Sequence, residues 1–179
     1  PNKLEYFDYE EDIAKTLECH RKIWVKKATG LGVTEFFTRW IAWNCLKDDK
    51  WKNNQVDVSA IIITGANQDL TNKGIGRIKN LFDVEFKTKE SLVVLNGCKI
   101  EAFPTNHLSP ARGLNPKIVL LDEADFFPSR YQDEARTVAE RYIPKTNSYI
   151  AMVSTPNLPG GLFQRMEDEY DLLSDKDKE

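Results

Sequence analysis

The sequence predicts an α/β fold of three layers, a mostly parallel central sheet covered by helices on both faces. Three observations carry that expectation. Strand-like runs of four to seven residues, the β-branched Val58–Thr64 and the aliphatic Ile118–Leu121 among them, read as strands buried on both sides rather than on one. Segments with apolar residues three and four apart lie between these runs, so helix and strand alternate along the chain. The least ordinary residues stand directly after strands, which is where ligands sit in open parallel sheets.

Each element has its own signal. Glu10–His20 carries Ile13, Ala14 and Leu17 at helical spacing, and Ile23–Val25 is a short strand. A glycine-containing turn, Lys27–Gly32, leads into a helix over Thr34–Leu46 with Phe36, Phe37, Trp40, Ile41 and Cys45 on one face. After the Val58–Thr64 strand, Asn67 caps a helix running to Phe82. Leu92–Leu95 and Cys98–Phe103 flank Asn96-Gly97, the preferred two-residue hairpin turn. Ile118–Leu121 and Tyr149–Val153 are two more buried strands, with a helix over Tyr131–Tyr142 between them. Phe163–Leu173 closes the fold as a helix and frays into an acidic tail.

At roughly 150 residues per domain, 179 residues make one domain, and 41% apolar against 30% charged residues suits a packed core. A membrane span needs about 20 apolar residues, whereas the runs here reach about four, so no membrane association is expected. Cys19, Cys45 and Cys98 are an odd set without paired spacing, and two histidines are too few for a histidine metal site. A reduced, cytoplasmic, soluble domain is expected. The net charge of −3 hides a gradient: residues 1–18 carry −4, residues 166–179 carry −5, and the stretch between carries +6. A weakly basic body suits a polyanion, although many solvated surfaces look the same.

Three strand ends carry candidate chemistry. The first is Lys26-Lys27-Ala28-Thr29-Gly30-Leu31-Gly32-Val33-Thr34. A phosphate loop reads GxxxxGK[ST] between strand and helix, and its backbone N–H groups and the helix N-terminus hold phosphates while its hydroxyl ligates Mg²⁺. Gly32 and Thr34 match, but Val33 stands at the lysine position and Lys27 at the first glycine. A lysine entering from the start of the loop supplies the same charge; the other reading is a plain strand–turn–helix, and this segment alone does not choose. The second is Asp122-Glu123, two acids after four apolar residues. Such a pair suits metal coordination by the first acid and water activation by the second, and Asp125 adds a third acid whose repulsion a cation would relieve. The third is Ser154-Thr155-Pro156-Asn157, hydroxyls placed to sense a terminal phosphate or simply to begin a turn. Arg112, in a loop rich in Pro, Asn and Gly, is either a surface residue or a finger for a neighbouring site.

In this order the pieces resemble the ATPase domain of the large subunit of viral DNA-packaging terminases, over about residues 5–170. The most specific matches are Lys27–Thr34, Ala111-Arg112-Gly113 through Asp122–Phe127, and Ser154–Asn157. The resemblance implies a RecA-like P-loop NTPase fold with a deviant Walker A loop, ATP and Mg²⁺ as cofactors, and translocation of double-stranded DNA into a capsid. It places the phosphate contact on Lys27, with Lys26 as substitute, along the loop Ala28, Thr29, Gly30, Leu31, Gly32 and Val33. It places Mg²⁺ on Thr34 and Asp122, the catalytic base on Glu123, hydrolysis–movement coupling on Ser154, Thr155 and Pro156, and a trans-acting finger on Arg112. Tyr9 and Glu10, in the segment Tyr6–Glu10, stand roughly where the family contacts adenine. Implied partners are a homo-oligomeric ring on DNA, a portal and a small terminase subunit, with a monomer expected in isolation.

The expected organisation is one P-loop ATPase domain over 1–179, with 166–179 as an acidic tail and without the nuclease domain that follows the motor in this family. Two rivals are a helicase-like DNA-dependent ATPase and a degenerate nucleotide-binding fold kept for assembly, for which Val33 is the best argument.

Overall fold

The computed structural model describes residues 7–47, 58–157 and 159–173. Among them lie six strands: β1 (Lys22–Lys26), β2 (Ala60–Thr64), β3 (Leu92–Leu95), β4 (Cys98–Pro104), β5 (Ile118–Asp122) and β6 (Tyr149–Ser154). Their order across the sheet is β1-β6-β5-β2-β4-β3, parallel throughout except for the hairpin strand β3. The helices are α1 (Asp8–Cys19), α2 (Val33–Lys47), α3 (Gln68–Lys79), α4 (Ser129–Glu140), α5 (Tyr142–Thr146) and α6 (Leu162–Asp171). The expected three-layer α/β fold is present.

Alternation inside the apolar runs builds two cores. In β5, Ile118 and Leu120 face one side with Ile62, Ala151, and Phe37 and Ile41 of α2, together with α1 and α3. Val119 and Leu121 face the other, against Val138 of α4, Tyr142 of α5 and Phe163 of α6. Both faces are apolar because both are covered, which explains why these strands read as unbroken hydrophobic runs. Among the described residues no helix is long and apolar enough to cross a membrane.

Most expected elements hold to within a residue or two, and the exceptions have local causes. Asn67 caps α3 by accepting from the Asp69 N–H at 2.8 Å, but the helix ends at Lys79. Leu81 and Phe82 bond back three residues rather than four, a tight turn that leaves the helical path. At Asn96-Gly97 both residues have positive φ, 48° and 78°, as the predicted hairpin requires. The helix expected over Tyr131–Tyr142 is α4, which ends two residues earlier at Glu140, and a further short helix, α5, follows the break at Arg141. Pro144 has no N–H to offer the Glu140 carbonyl, so the ladder fails there and restarts. The acidic stretch 166–179 is not all tail: Met166–Asp171 is helical, and 174–179 lie outside the described residues.

Candidate active site

Three neighbouring parallel strands end level. Register pairs Lys26 of β1 with Ser154 of β6, and Val153 of β6 with Asp122 of β5. The residues that follow, Lys27, Thr155 and Glu123, therefore emerge side by side at the carboxyl edge of the sheet, although up to 128 residues separate them in the chain. The Lys27 N–H donates to the Ser154 carbonyl at 3.0 Å, extending the ladder by one rung.

The loop after β1 is exposed from Ala28 to Gly32 and bends through Gly30 and Gly32 at φ +85° and +73°. A Cβ at either glycine would meet nothing within 4 Å, so conformation rather than space demands glycine there. The first intrahelical bond of α2 runs from the Phe36 N–H to the Gly32 carbonyl at 2.9 Å. The N–H groups of the turn before it have no acceptor within the helix and lie at the positive end of a 15-residue dipole, an anion-binding arrangement. Val33 is 1% exposed and its side chain enters the core, away from the loop.

The Lys27 side chain is 7% exposed and its ammonium donates to Glu123 Oε1 at 2.6 Å, with Thr155 Oγ1 at 3.4 Å. Glu123 sits in the left-handed region (φ 54°, ψ 46°), a conformation that disfavours a side-chain-bearing residue by about 1–2 kcal/mol. Its Oε2 accepts from the Thr155 N–H at 3.3 Å and lies 3.4 Å from Ser154 Oγ. Beside it, Thr34 Oγ1 donates to Asp122 Oδ1 at 2.7 Å, and Arg77 of α3 reaches Asp122 Oδ2 at 3.4 Å. Burial pushes the Asp122 carboxyl above the usual range; Thr34, Arg77 and Lys27 act against that push and Glu123 adds to it. A hydroxyl and one carboxylate are hard oxygen donors that fit Mg²⁺, a cation that keeps waters and phosphates as its other ligands. No group of three or more His, Cys, Asp or Glu gathers among the described residues.

The other expected residues take the following places. Lys26 turns to the opposite face of β1 and pairs with Glu167 of α6 at 2.8 Å. Tyr9 stacks on Phe7 and donates through its hydroxyl to the Leu31 carbonyl, while Glu10 accepts from the Phe7 N–H at 3.0 Å and caps α1. Tyr6 lies outside the described residues. Arg112 lies in a 3₁₀ turn, Ser109–Gly113, and pairs with Glu134 of α4 at 2.6 Å, half exposed. Asp125 corrects an expectation. Its carboxylate is buried and accepts from the Asn157 and Phe163 N–H groups at 2.6 and 3.1 Å, so it is turned toward α6 and does not join the acid pair. Arg77 is the residue the sequence did not offer: it lies mid-chain on a helix with no motif around it, and only the approach of α3 to the end of β5 brings it to Asp122.

A family model described as terminase large subunit, T4likevirus-type, N-terminal, matches residues 25–166. The chain belongs to this family. The crystal structure of the HK97 bacteriophage large terminase superposes with a TM-score of 0.73 at 11% identity, over 96% of this chain and 38% of that one. Two structures of the Thermus phage P74-26 large terminase ATPase domain, one a point mutant, give TM-scores of 0.56 and 0.51 at 13% and 14% identity. They cover 86% and 87% of this chain and 66% and 71% of theirs. No curated protein matches. The terminase fold is thus shared over nearly all of this domain, which spans about two-fifths of the HK97 protein. Within the terminase match fall the loop, the acid pair and the Ser154–Asn157 strand end; Tyr9 and Glu10 precede it.

Proposed function

We propose that this chain is the ATP-hydrolysing motor domain of a terminase large subunit, driving double-stranded DNA into a viral capsid in the host cytoplasm. One observation carries the reading. Lys27–Glu123 and Thr34–Asp122 form adjacent pairs at the carboxyl edge of the sheet, beside a glycine loop that opens a helix. Loop N–H groups from Ala28 to Thr34 and the N-terminus of α2 hold phosphate oxygens, and Lys27 supplies the ammonium that Val33 cannot. Thr34 and Asp122 would hold Mg²⁺, which when bound neutralises charge on the phosphates.

Glu123 takes the proton from the attacking water, general-base work worth about 10²–10⁴ in rate. Its backbone and the Thr155 N–H hold the carboxylate in place, while Ser154 and Thr155 link it to the β6 strand end. Arg112, exposed and paired with the Glu134 carboxylate of α4, serves a neighbouring subunit in a ring assembled with DNA, portal and small subunit.

The test is Mg·ATP binding and phosphate release at high protein concentration with double-stranded DNA. Glu123→Gln keeps binding and loses turnover by the factor above. Lys27→Ala loses a charged hydrogen bond of about 1.5–3 kcal/mol and binds ATP roughly ten- to a hundredfold more weakly. Normal turnover in Glu123→Gln, beside an active wild type, would overturn the assignment.

A further inference from the structure

We propose that Asp125 is a positioning residue that ties the acid-bearing end of β5 to Asn157 and to α6, so that the geometry of Glu123 and the placement of α6 change together. The proposal rests on the nucleotide reading above and extends it to a residue outside the acid pair.

Asp125 is 3% exposed, two positions after Glu123, and its polar groups are committed in every direction. Its N–H donates to Ser154 Oγ at 3.1 Å. Oδ2 accepts from the Asn157 N–H at 2.6 Å and Oδ1 from the Phe163 N–H at 3.1 Å. Its carbonyl accepts from Gln132 Nε2 at 3.2 Å and Asn157 Nδ2 at 3.4 Å. Phe163 is the second residue of α6, so its N–H has no acceptor within the helix; Asp125 caps α6 from 38 residues away.

Two features make this clamp respond to Glu123 rather than merely fasten a helix. Glu123 and Asp125 share one short turn: the left-handed Glu123 starts the 3₁₀ segment Ala124–Phe126, so any relaxation of its backbone rotates Asp125. Ser154 Oγ stands between them, accepting from the Asp125 N–H and 3.4 Å from Glu123 Oε2. The joint has no slack, because a Cβ on Gly161 would fall 2.5 Å from Asp125 Oδ1. On its far side, α6 is held to the same body by Lys26–Glu167 and by Arg165, which reaches Gln132 and Asp133. A rotation at the acid pair is thus delivered to the first turn of α6.

The test compares wild type, Asp125→Asn and Gly161→Ala. Asparagine keeps the shape but turns one acceptor into a donor facing an N–H; alanine at 161 displaces the carboxylate sterically and changes no charge. Amide hydrogen exchange is followed with and without a non-hydrolysable Mg·ATP analogue, beside steady-state ATP turnover. In wild type the analogue changes protection at Phe163 and the following α6 amides. Both variants keep analogue affinity within about threefold, lose that response, and turn over about tenfold more slowly at unchanged KM, the loss of one charged hydrogen bond. If Asp125→Asn does not fold, Gly161→Ala decides. Wild-type binding with no change in α6, or folded variants that keep both response and turnover, overturns the proposal. A wild type that binds no analogue overturns the nucleotide reading itself.

Discussion

Placing a lysine back at position 33, where the common phosphate-loop pattern has it, tests where this loop keeps its charge. Val33 is 1% exposed and its side chain lies in the core formed by α2 and the sheet. Val33→Lys forces a longer chain into a packed site, a penalty of about 1–3 kcal/mol. Leaving its ammonium there without a partner adds several more, and snorkelling to the surface recovers only part of that. A net destabilisation of roughly 3–5 kcal/mol is a large share of the about 5–15 kcal/mol that keeps a domain folded. At about 2–4 °C per kcal/mol for a chain of this size, the midpoint of thermal unfolding falls by roughly 6–20 °C. Nucleotide affinity, read by titration of a fluorescent ATP analogue, gains nothing in the single variant. The double variant Lys27→Ala/Val33→Lys stays as weak as Lys27→Ala. A double variant that melts and binds like wild type would refute the reasoning, since it would mean that position 33 can face the phosphates.

Three further outcomes are expected. Asp122→Asn removes the carboxylate that Thr34 and Arg77 address, so the Mg²⁺ concentration for half-maximal nucleotide binding rises about tenfold or more; an unchanged Mg²⁺ titration would remove Asp122 from the metal site. Arg112→Ala and Glu123→Gln, each inactive alone in a forced assembly, partly restore turnover when mixed, because one keeps the arginine and the other the base; no recovery from assembled, folded proteins places Arg112 outside a shared site. The third concerns acid. Arg136 bonds Glu169 at 2.9 and 2.6 Å and Glu140 at 2.8 Å. Arg136 holds the Glu169 carboxyl low, and at Glu140 burial pushes up but Arg136 and Lys22 outweigh it. A carboxyl with a lowered folded pKa contributes stability above its ordinary value, about 4.3 for Glu, and loses it as pH falls through the lowered value. The stability gap between wild type and Arg136→Met, present at pH 7, therefore closes toward pH 3 in thermal melts; a pH-independent gap would mean packing rather than charge.

The fold was legible wherever a local rule settles a local choice. Buried strands announced themselves as β-branched runs, Asn67 as a cap, and Asn96-Gly97 as a hairpin turn. The break between α4 and α5 was also written, in Pro144, which lies just past the expected end of that helix. At the site, residue types and their order after strands were enough to gather Lys27, Thr34, Asp122, Glu123 and Thr155. Direction was not legible. That Lys26 faces α6 while Lys27 faces Glu123 follows from the strand pleat, and depends on which face each helix covers. Asp125 and Arg77 were opaque for a related reason: their partners are a main-chain N–H 38 residues away and a carboxylate 45 residues away, pairings that only the assembled sheet creates.

The sheet order also dictates when the site can exist. Among the described residues β1 lies at the edge of the sheet with β6 as its neighbour, and their register joins positions 128 residues apart. Closing so long a loop is slow compared with forming helices and hairpins, and during synthesis the amino-terminal part of a chain waits for the rest. The glycine loop therefore emerges early, attached to a strand with nothing to pair with. It gains its alignment with Glu123 only after Tyr149–Ser154 has been made and has slotted between β1 and β5. A nascent chain halted before β6 holds most of the loop's chemistry and none of its register. The alignment of the glycine loop with Glu123 arrives with β6, as a property of the paired sheet rather than of the motif.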